Sequence, residues 1–563
     1  MSNSENRITF NRREALLLAA AGGIGAALAR PALASDSTKT TTHQEPGFCT
    51  TPKTAVANTQ YGKVRGFVSG DVFTFKGVPY GQNTAGENRW LPVKPPVPWK
   101  DEYPALIYGG NCPQYLHDNS DLWQAFLQDW DDGYQSEDML KLNIWTPSLT
   151  GKRPVMFYIH GGGYFFGSAY ELPSHEGAQM ARHHDVVQVS VNHRLGLLGF
   201  MDVSEVGGPA YEGSINAGMS DLVAALKWVQ ENISNFGGDP DKVMIYGQSG
   251  GGGKVATLMG MPSAKGLFHR AAIQSGGGGA GSAEERREFT RMIVKELGIA
   301  PNDIAAMQKL SWSQLDEAAV AAGEKRKTSG MSRMSFFPMP ANVIKIMNQN
   351  WGPSLDGNII NVRSFEDGAP EISKDVPLMV GSVSEEGGAY HLNPTEEEWV
   401  ASLSKVLGDD KGKALAAAMK KAHPEKSIRT LSYGVAGLSG RTNVVRMAKL
   451  KHDLQAAPAY TYYFSWQTPM LGGDAGAWHT ADLTFCFDNT LRCAQGTGNT
   501  PEAQVLAKKM ATAWASFART GNPSQPGLIW EPTDPETNKT MVWDNQCRMV
   551  NDPEGEARKI LAS

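Results

Sequence analysis

The sequence predicts an α/β protein with one large, mostly parallel central sheet and helices on both faces. Two observations predict this fold class. From residue 137 onward, short apolar segments alternate with longer amphipathic ones, which is typical of parallel strands joined by helical crossovers. The chain also has 563 residues, 41% of them hydrophobic, which is enough for one very large α/β domain or two ordinary ones.

An antiparallel hairpin is predicted before the alternating region. Residues 64–68 and 72–80 alternate apolar and polar side chains on either side of a turn at Gly70-Asp71. The stretch 81–135 has the composition of a loop rich in proline and tryptophan. Packing is the simpler role for its aromatic residues, and lining a substrate entrance is the alternative for three of them, Trp123, Phe126 and Trp130.

The alternating region contains seven predicted strands and a well-marked helix. The strands are predicted at residues 140–145, 154–159, 186–191, 241–246, 270–274, 377–380 and 460–464. Residues 219–232 carry the apolar stripe of a helix that packs on a sheet. Asp239-Pro240 is expected to interrupt the chain before the fourth strand.

Two long stretches between strands are predicted to be helical insertions that form a cap. They lie around residues 283–350 and 388–450. The first contains a Met- and Phe-rich run at 331–339, for which helical packing and pocket lining are both compatible with the pattern.

The N-terminus has the pattern of a bacterial export signal. Arg12-Arg13 precedes an apolar run that is short for a membrane span, and Ala32-Leu33-Ala34 offers a cleavage site. We therefore predict a twin-arginine signal peptide at residues 1–34, a flexible leader at 35–55 and one catalytic domain at 56–563. This predicts a periplasmic or secreted protein, with a Sec signal or an uncleaved anchor as alternatives, and no later segment resembles a membrane span.

The overall charge gives no reason to expect a nucleic-acid partner. The formal net charge is −5, and no basic stripe runs through the sequence. Charged residues make up only 20% of the chain and glycine is abundant, as in an enzyme-sized globular protein with many turns.

The glycine-flanked Ser249 is predicted to be a nucleophile. The pattern G-x-S-x-G at residues 247–251 follows a predicted strand and precedes an apolar segment that can form a helix. At such a turn, glycines let the strand and the helix approach closely, and the serine hydroxyl is lifted clear of its neighbours. In a chain with 61 glycines the pattern also arises by chance, so the remaining residues must support it.

A glycine run after the strand at 154–159 predicts an oxyanion hole. Consecutive glycines allow backbone N–H groups to point into open space toward developing negative charge. We predict that the N–H groups of Gly162 and Gly163, together with that of Gly250, bind the oxyanion. An ordinary glycine-rich turn is the alternative.

A carboxylate and a histidine after later strands complete the predicted site. Active groups gather at the carboxyl ends of parallel strands, and in sites of this kind the acid and then the histidine follow the serine along the chain. Glu385 and Glu386 follow the strand at 377–380, and Glu386, just before two glycines, is the better candidate. Of the 12 histidines, His479 is best placed, in a loop after the strand at 460–464.

These motifs resemble the type-B carboxylesterase and cholinesterase-like family of α/β-hydrolases. The similar stretches are residues 77–80, 136–143, 160–163, 192–196, 235–240, 247–251, 274–276, 517–523 and the segments around Glu386 and His479. The resemblance covers about residues 56–555 and implies the α/β-hydrolase fold. It also implies that Ser249, Glu386 and His479 form a catalytic triad.

The resemblance implies roles for residues around this triad as well. Ser275 corresponds to a supporting hydroxyl and Asp482 to an acidic position near the histidine loop. Gln248 stands where the family usually has glutamate, so we expect a weaker negative field and less attraction for cationic esters. Gly250 replaces a more common alanine but keeps the backbone N–H.

Five cysteines leave at least one thiol unpaired, even in an oxidising compartment. They are Cys49, Cys112, Cys486, Cys493 and Cys547, and their spacing does not indicate a zinc site. Connectivity stays open, with Cys486–Cys493, the shortest loop, preferred. By the family resemblance, the usual partner of Cys112 is replaced by Met139, so Cys112 is expected to lack that bridge.

The predicted function is hydrolysis of carboxylic esters through an acyl-serine intermediate, without a metal or organic cofactor. The expected partner is a small-molecule ester. A lipase, aryl amidase or polyester hydrolase of the same fold is the first alternative. A non-catalytic binding module is the second, but such modules typically lack the serine. Twin-arginine export also suits cofactor-bearing redox proteins, although nothing else in the sequence supports that class. No motif specifies the ester or the oligomeric state.

Overall fold

The computed structural model describes residues 47–51, 53–115, 122–326, 345–346, 348–387 and 393–563. The predicted signal peptide and the run at 331–339 lie outside these residues. From Gly47 to Ser563 the chain forms one unit by its internal contacts.

A 12-stranded sheet forms the centre of this unit. The strands are β1 (Phe48–Cys49), β2 (Val56–Thr59), β3 (Gly62–Arg65), β4 (Phe67–Ser69), β5 (Val72–Pro79), β6 (Tyr103–Pro104), β7 (Lys141–Thr146), β8 (Arg153–Ile159), β9 (Val187–Val191), β10 (Gly238–Gln248), β11 (Arg270–Gln274), β12 (Gly281–Ser282), β13 (Ser354–Leu355), β14 (Leu378–Val383), β15 (Ala459–Phe464), β16 (Lys539–Trp543) and β17 (Arg548–Asn551). Twelve of these strands form the central sheet, in the order β1-β4-β5-β7-β9-β8-β10-β11-β14-β15-β16-β17, whereas β2, β3 and β6 form a second sheet and β12 pairs with β13. The run from β9 to β16 is parallel, and both edges are antiparallel.

Helices cover both faces of the sheet. They are α1 (Leu122–Gln128), α2 (Ala178–His184), α3 (Gly196–Phe200), α4 (Ser204–Gly207), α5 (Ala217–Asn232), α6 (Gly250–Gly260), α7 (Ala283–Leu297), α8 (Ile304–Lys309), α9 (Trp312–Lys325), α10 (Glu396–Leu407), α11 (Asp409–Ala422), α12 (Ile428–Asp453), α13 (Ala481–Cys486), α14 (Ala494–Thr497), α15 (Pro501–Thr520) and α16 (Gly555–Ala562). None of these helices, among the residues described, combines the length and apolar character needed to cross a bilayer.

Alternation along the strands explains the two helical layers. In β8, Phe157 belongs to one apolar core and its neighbour Tyr158 to another, because successive side chains of a strand point to opposite faces. Helices α5 and α6 pack in the first core, and α15 packs in the second. The predicted large, mostly parallel sheet with helices on both faces is therefore confirmed.

Most of the predicted strands lie within one to three residues of their observed bounds, but two local expectations are wrong. The segment predicted as one strand at 64–68 is divided at Gly66 into β3 and β4, which belong to different sheets. Glycine is required at this point, because a Cβ would lie 2.1 Å from the carbonyl oxygen of Thr74. Asp239-Pro240 does not interrupt the chain. Strand β10 runs through it with a register shift between Gly238 and Val243, and such an irregularity tolerates a proline without an N–H group.

The N-terminal leader and the cysteines also differ from expectation. The stretch assigned to a flexible leader, residues 35–55, overlaps β1, where Phe48 and Cys49 pair with β4. All five cysteines are free, so the preferred Cys486–Cys493 disulfide is wrong. Cys486 is instead the last residue of α13, and its thiol donates to the carbonyl oxygen of Leu483 at 3.4 Å. Cys112 is free, as its missing partner implied.

Candidate active site

Ser249 occupies a strained turn between β10 and α6. Its backbone has φ 58° and ψ −124°, a region that a non-glycine residue adopts only where the surrounding structure enforces it. The Ser249 N–H donates to the carbonyl oxygen of Gln274 at 2.8 Å, and its own carbonyl accepts from Gly253 at 3.1 Å. A Cβ at Gly247 would lie 2.6 Å from the carbonyl oxygen of Ile159, so this close approach requires glycine.

The glycine loop after β8 lies directly against this turn. Gly162 and Gly163 both have positive φ, 73° and 61°, which turns their peptide groups out of the strand direction. A Cβ built on Gly250 would lie 2.5 Å from the Gly163 nitrogen. Within the described residues, no hydrogen bond joins the N–H groups of these three glycines to a protein acceptor. They therefore leave a set of unshielded donors at the N-terminus of α6, where the helix dipole adds partial positive charge.

Because Gly250 packs so closely on Gly163, we expect Gly250→Ala to lower kcat by about 10- to 100-fold. The variant keeps the N–H group, but a shift of the donors by even ~1 Å misplaces them. The added methyl group must push the Gly163 backbone away. Kinetics on an ester, normalised to the active-site concentration, measure the effect.

Gly323→Ala on α9 is a suitable control, since the nearest neighbour of its Cβ would be 3.6 Å away. Unchanged kcat in Gly250→Ala would contradict the close packing of the two loops.

His479 and Glu386 meet at the carboxyl ends of two neighbouring parallel strands, β14 and β15. His479 lies in the loop after β15, and its Nδ1 is hydrogen-bonded to Oε2 of Glu386. The other carboxylate oxygen accepts the Val383 N–H at 3.2 Å. Gln248, the neighbour of Ser249, places its amide nitrogen 3.3 Å from His479 Nε2. His479 thus lies against Glu386 and against the residue that precedes Ser249, although 230 positions separate it from the serine in the sequence.

The carboxylate changes the acidity of the imidazole. Burial lowers the pKa of His479, but the charge and hydrogen bond of Glu386 outweigh it, and Asp482 adds to their effect. The net pKa of His479 therefore lies above 6.5. A histidine in this setting can accept a proton and remain stabilised as imidazolium by the adjacent carboxylate.

The residues predicted to support the triad also converge on it. Asp482 accepts hydrogen bonds from the Tyr462 hydroxyl at 2.6 Å and the Gln274 side chain at 3.0 Å, and burial raises the pKa of this carboxyl group. Gln274 in turn binds the backbone of Ser249. Ser275 has a φ of 46° and a buried hydroxyl that makes no hydrogen bond within the described structure.

Glu385 has a structural role that sequence reasoning did not assign. It is 1% exposed and forms an ion pair with Lys426 at 2.7 Å. Its Oε2 accepts the Ala477 N–H at 2.7 Å, two residues before His479. Glu385 therefore anchors the loop that carries the histidine, and only its adjacency to Glu386 in the sequence could have drawn attention to it.

A cavity of about 370 Å³ opens beside the serine. Its wall contains Ser249, Ser275 and Glu386, and α12 closes one side. The wall residues from α12 are Ala436, Gly440, Asn443 and Val444. The second predicted insertion thus covers the site. Trp123, Phe126 and Trp130, the alternative entrance residues, do not line this cavity as the described residues form it. Among all the residues that the structure describes, no three His, Cys, Asp or Glu side chains are grouped to hold a metal ion.

Comparison with known proteins places this chain among ester hydrolases. Residues 53–560 match the carboxylesterase family. Para-nitrobenzyl esterase of Bacillus subtilis is 32% identical over 90% of this chain and 98% of its own length. Phenmedipham hydrolase of Pseudarthrobacter oxydans is 30% identical over 85% of this chain and 92% of its length.

Solved structures agree with these sequence relatives. An esterase from Clostridium hathewayi, described as able to hydrolyse aliphatic aromatic polyesters, superimposes with a TM-score of 0.75 at 32% identity, over 91% of this chain and 98% of its own. The architecture is therefore the α/β-hydrolase fold. Family match, sequence relatives and fold agree that this chain belongs to the carboxylesterase family and is a carboxylic ester hydrolase.

Proposed function

We propose that the protein hydrolyses neutral small-molecule carboxylic esters through an acyl intermediate on Ser249. The observation that carries this proposal is that the Glu386–His479 pair, a strained serine and unshielded backbone donors all lie at the carboxyl ends of the central parallel strands. These are the groups that acyl transfer requires: a nucleophile, an oriented base and an oxyanion hole.

In the first half-reaction, Ser249 Oγ forms a bond to the ester carbonyl carbon and His479 takes the hydroxyl proton. The carbonyl π electrons move onto the oxygen, where the N–H groups of Gly162, Gly163 and Gly250 stabilise the negative charge. Collapse of this intermediate breaks the bond to the alcohol oxygen, which receives the proton from His479. Water then attacks the acyl-serine by the same route and releases the acid.

The cavity walls support a neutral substrate group. The wall next to Ser249 consists mainly of glycine, alanine, serine, asparagine and valine, and Glu386 is its only ionisable side chain within the described residues. That carboxylate is already engaged by His479. A cationic group would find no free partner there, whereas a compact uncharged group would fill the space. The names of the relatives suggest aryl-containing esters as first candidates.

Rates across a substrate panel test this proposal. The panel contains p-nitrophenyl esters of increasing acyl length, a p-nitrobenzyl ester, a p-nitroanilide and a polyester film. We expect the highest kcat/KM for short neutral esters. A maximum at long acyl chains would indicate a lipase, preference for the anilide an amidase, and preference for the film a polyester hydrolase.

Labelling with an organophosphonate tests the covalent step itself. One label per chain is expected on Ser249, located by mass spectrometry of the digest, with activity lost in proportion. Absence of labelling at Ser249 in folded protein would contradict the acyl-serine mechanism.

Gln248→Glu is expected to change substrate preference and pH dependence together. A carboxylate 3.3–3.5 Å from the His479 ring nitrogens adds negative potential to the site. It should raise kcat/KM for a choline ester about 3- to 10-fold relative to its uncharged carbon isostere. It should also move the acidic limb of the rate profile to higher pH, because it favours the imidazolium. Gln248→Met serves as the uncharged control, and an unchanged ratio of the two esters would refute the idea.

We further propose that the protein acts outside the cytoplasm. The proposal rests on Arg12-Arg13, the apolar run after it and the small residues at 32–34. Expression in a bacterium with fractionation and N-terminal sequencing tests it, together with the variant Arg12→Lys/Arg13→Lys. A processed periplasmic form that the double variant loses would support twin-arginine export. Export that survives in the variant would favour Sec, and an unprocessed cytoplasmic chain would contradict both.

A further inference from the structure

A fully buried lysine lies behind the glycine loop. Lys254, on α6 five residues after Ser249, has no exposed surface. Its Nζ donates to the carbonyl oxygens of His160 at 3.0 Å and Gly161 at 3.3 Å, and it lies 5.5 Å from the ring centre of Tyr164. Burial of an ammonium group is unfavourable unless such partners compensate it.

The contact to Gly161 determines how a neighbouring N–H group points. The carbonyl of Gly161 and the N–H of Gly162 belong to one planar trans peptide, in which the two groups point in opposite directions. Lys254 donates to this carbonyl, which His160 Nδ1 also contacts at 3.1 Å, so the Gly162 N–H points away from Lys254. That N–H is one of the three donors without a protein acceptor in the described residues. A cation on the carbonyl also polarises the peptide and strengthens its N–H as a donor.

We propose that Lys254 is a positioning residue of the oxyanion hole, which fixes the Gly161–Gly162 peptide and places a positive charge behind it. It acts through the peptide and does not touch the substrate. Stabilisation of the tetrahedral intermediate, and hence kcat, therefore depends on Lys254, whereas substrate binding does not. The inference rests on the acyl-serine mechanism proposed above.

The surroundings of Lys254 make this charge sensitive to pH. Burial lowers the pKa of Lys254 to about 7 and raises the pKa of Glu171, which is 3% exposed, to about 8, and the charge of each group, where present, opposes the shift of the other. His160 and His193 stack on each other with centres 4.9 Å apart, and burial together with the Lys254 charge lowers their pKa values. His175 lies 3.8 Å from Glu171, and burial lowers its pKa to about 3. The three histidines are therefore neutral near pH 7, and Lys254 loses its proton as the pH rises through its pKa.

Lys254→Met tests the proposal, and Lys451→Met is a matched control. Lys451 on α12 is also buried and also donates to two consecutive backbone carbonyls, those of Ser373 and Lys374. Active sites are counted with the organophosphonate, and kcat, KM and the inhibition constant of a trifluoromethyl ketone are measured. The ketone forms a tetrahedral adduct with the serine and so reports on the oxyanion hole.

For Lys254→Met we expect kcat to fall about 10- to 100-fold, KM to change less than about threefold and the ketone to bind more weakly by the same factor as kcat/KM. The alkaline limb near neutral pH should also disappear. Lys451→Met should leave all of these values unchanged. Unaltered kcat and ketone affinity in Lys254→Met, or equal losses in both variants, would overturn the proposal.

Glu171→Gln supplies a second test should Lys254→Met fail to fold. This variant removes the negative charge that Glu171 carries when it is ionised and that raises the Lys254 pKa, so the alkaline limb should move to lower pH while labelling of Ser249 persists. An alkaline limb at the wild-type position would overturn the proposal. A wild-type enzyme that neither reacts with the organophosphonate nor hydrolyses any ester would instead overturn the acyl-serine mechanism, so the two failures are distinguishable.

Discussion

Ser249→Ala is expected to lower kcat for a neutral ester by about 10⁶-fold, as removal of the nucleophile does in serine hydrolases of this type. Without Oγ no acyl-enzyme forms, and only the oxyanion donors and substrate positioning remain to assist direct attack by water. The fold should be unaffected, because the hydrogen bonds of Ser249 to Gln274 and Gly253 use backbone atoms. Alanine also has the same difficulty as serine at φ 58°.

Ser275→Ala is the matched control for this change. Ser275 lies on the same cavity wall, also has a positive φ, and has a buried hydroxyl without a protein partner in the described residues. The Ser275→Ala enzyme should retain most of its activity and should still be labelled by the organophosphonate on Ser249. Ser249→Ala protein that keeps more than about 1% of wild-type kcat, after correction for contaminating enzyme, would contradict the nucleophile assignment.

Glu386→Gln is expected to lower kcat by about 10⁴-fold, the scale seen when the carboxylate of such a triad becomes an amide. The amide can donate to His479 Nδ1, which places the remaining ring proton on Nε2. That nitrogen then cannot accept the serine proton. The loss of negative charge also leaves the imidazolium without its main stabilising partner.

The pH profile of the residual activity separates this role from a general loss of structure. Catalysis needs neutral His479, so the rate falls as the pH drops through the pKa of His479, which lies above 6.5 in the wild type. Without the Glu386 charge, burial dominates and lowers that pKa. The acidic limb of kcat/KM should therefore shift to lower pH in Glu386→Gln. A limb that stays at the wild-type pH would contradict the pairing.

Glu385→Gln is the contrasting variant at the neighbouring position. It breaks a buried ion pair with Lys426 and weakens the anchor of the histidine loop, so unfolding should become easier by roughly 3 kcal/mol. Glu385 does not contact the imidazole in the described structure, and the acidic limb should stay near its wild-type position. Thermal unfolding and the rate profile together distinguish the two adjacent carboxylates.

Sequence patterns located the local parts of this site well. The strand before Ser249 and the glycines around it were recognisable because the strand-to-helix turn depends on residues that are adjacent in the chain. The glycine run before Tyr164 was recognisable for the same reason. Chain order and family resemblance selected Glu386 and His479, since neither residue has a local signature of its own.

Other features depend on contacts between distant segments, and the sequence did not reveal them. The ion pair of Glu385 with Lys426 joins segments 41 residues apart, and no local pattern announces it. Lys254 looks like an ordinary polar position at the start of a helix. Its importance follows only from its burial against the carbonyls of His160 and Gly161, about 90 residues earlier.

Local sequence patterns were enough to predict the fold class, the order of the strands along the chain and the candidate nucleophile, because periodicity and turn chemistry are encoded within short segments. The folded chain was needed to show that the favoured Glu386 does meet the imidazole, how closely Gly250 approaches Gly163 and where the cation of Lys254 is buried. These properties arise when strands that are distant in sequence become neighbours in the sheet, since burial and ångström-scale contact then set both the geometry and the acidity of each group.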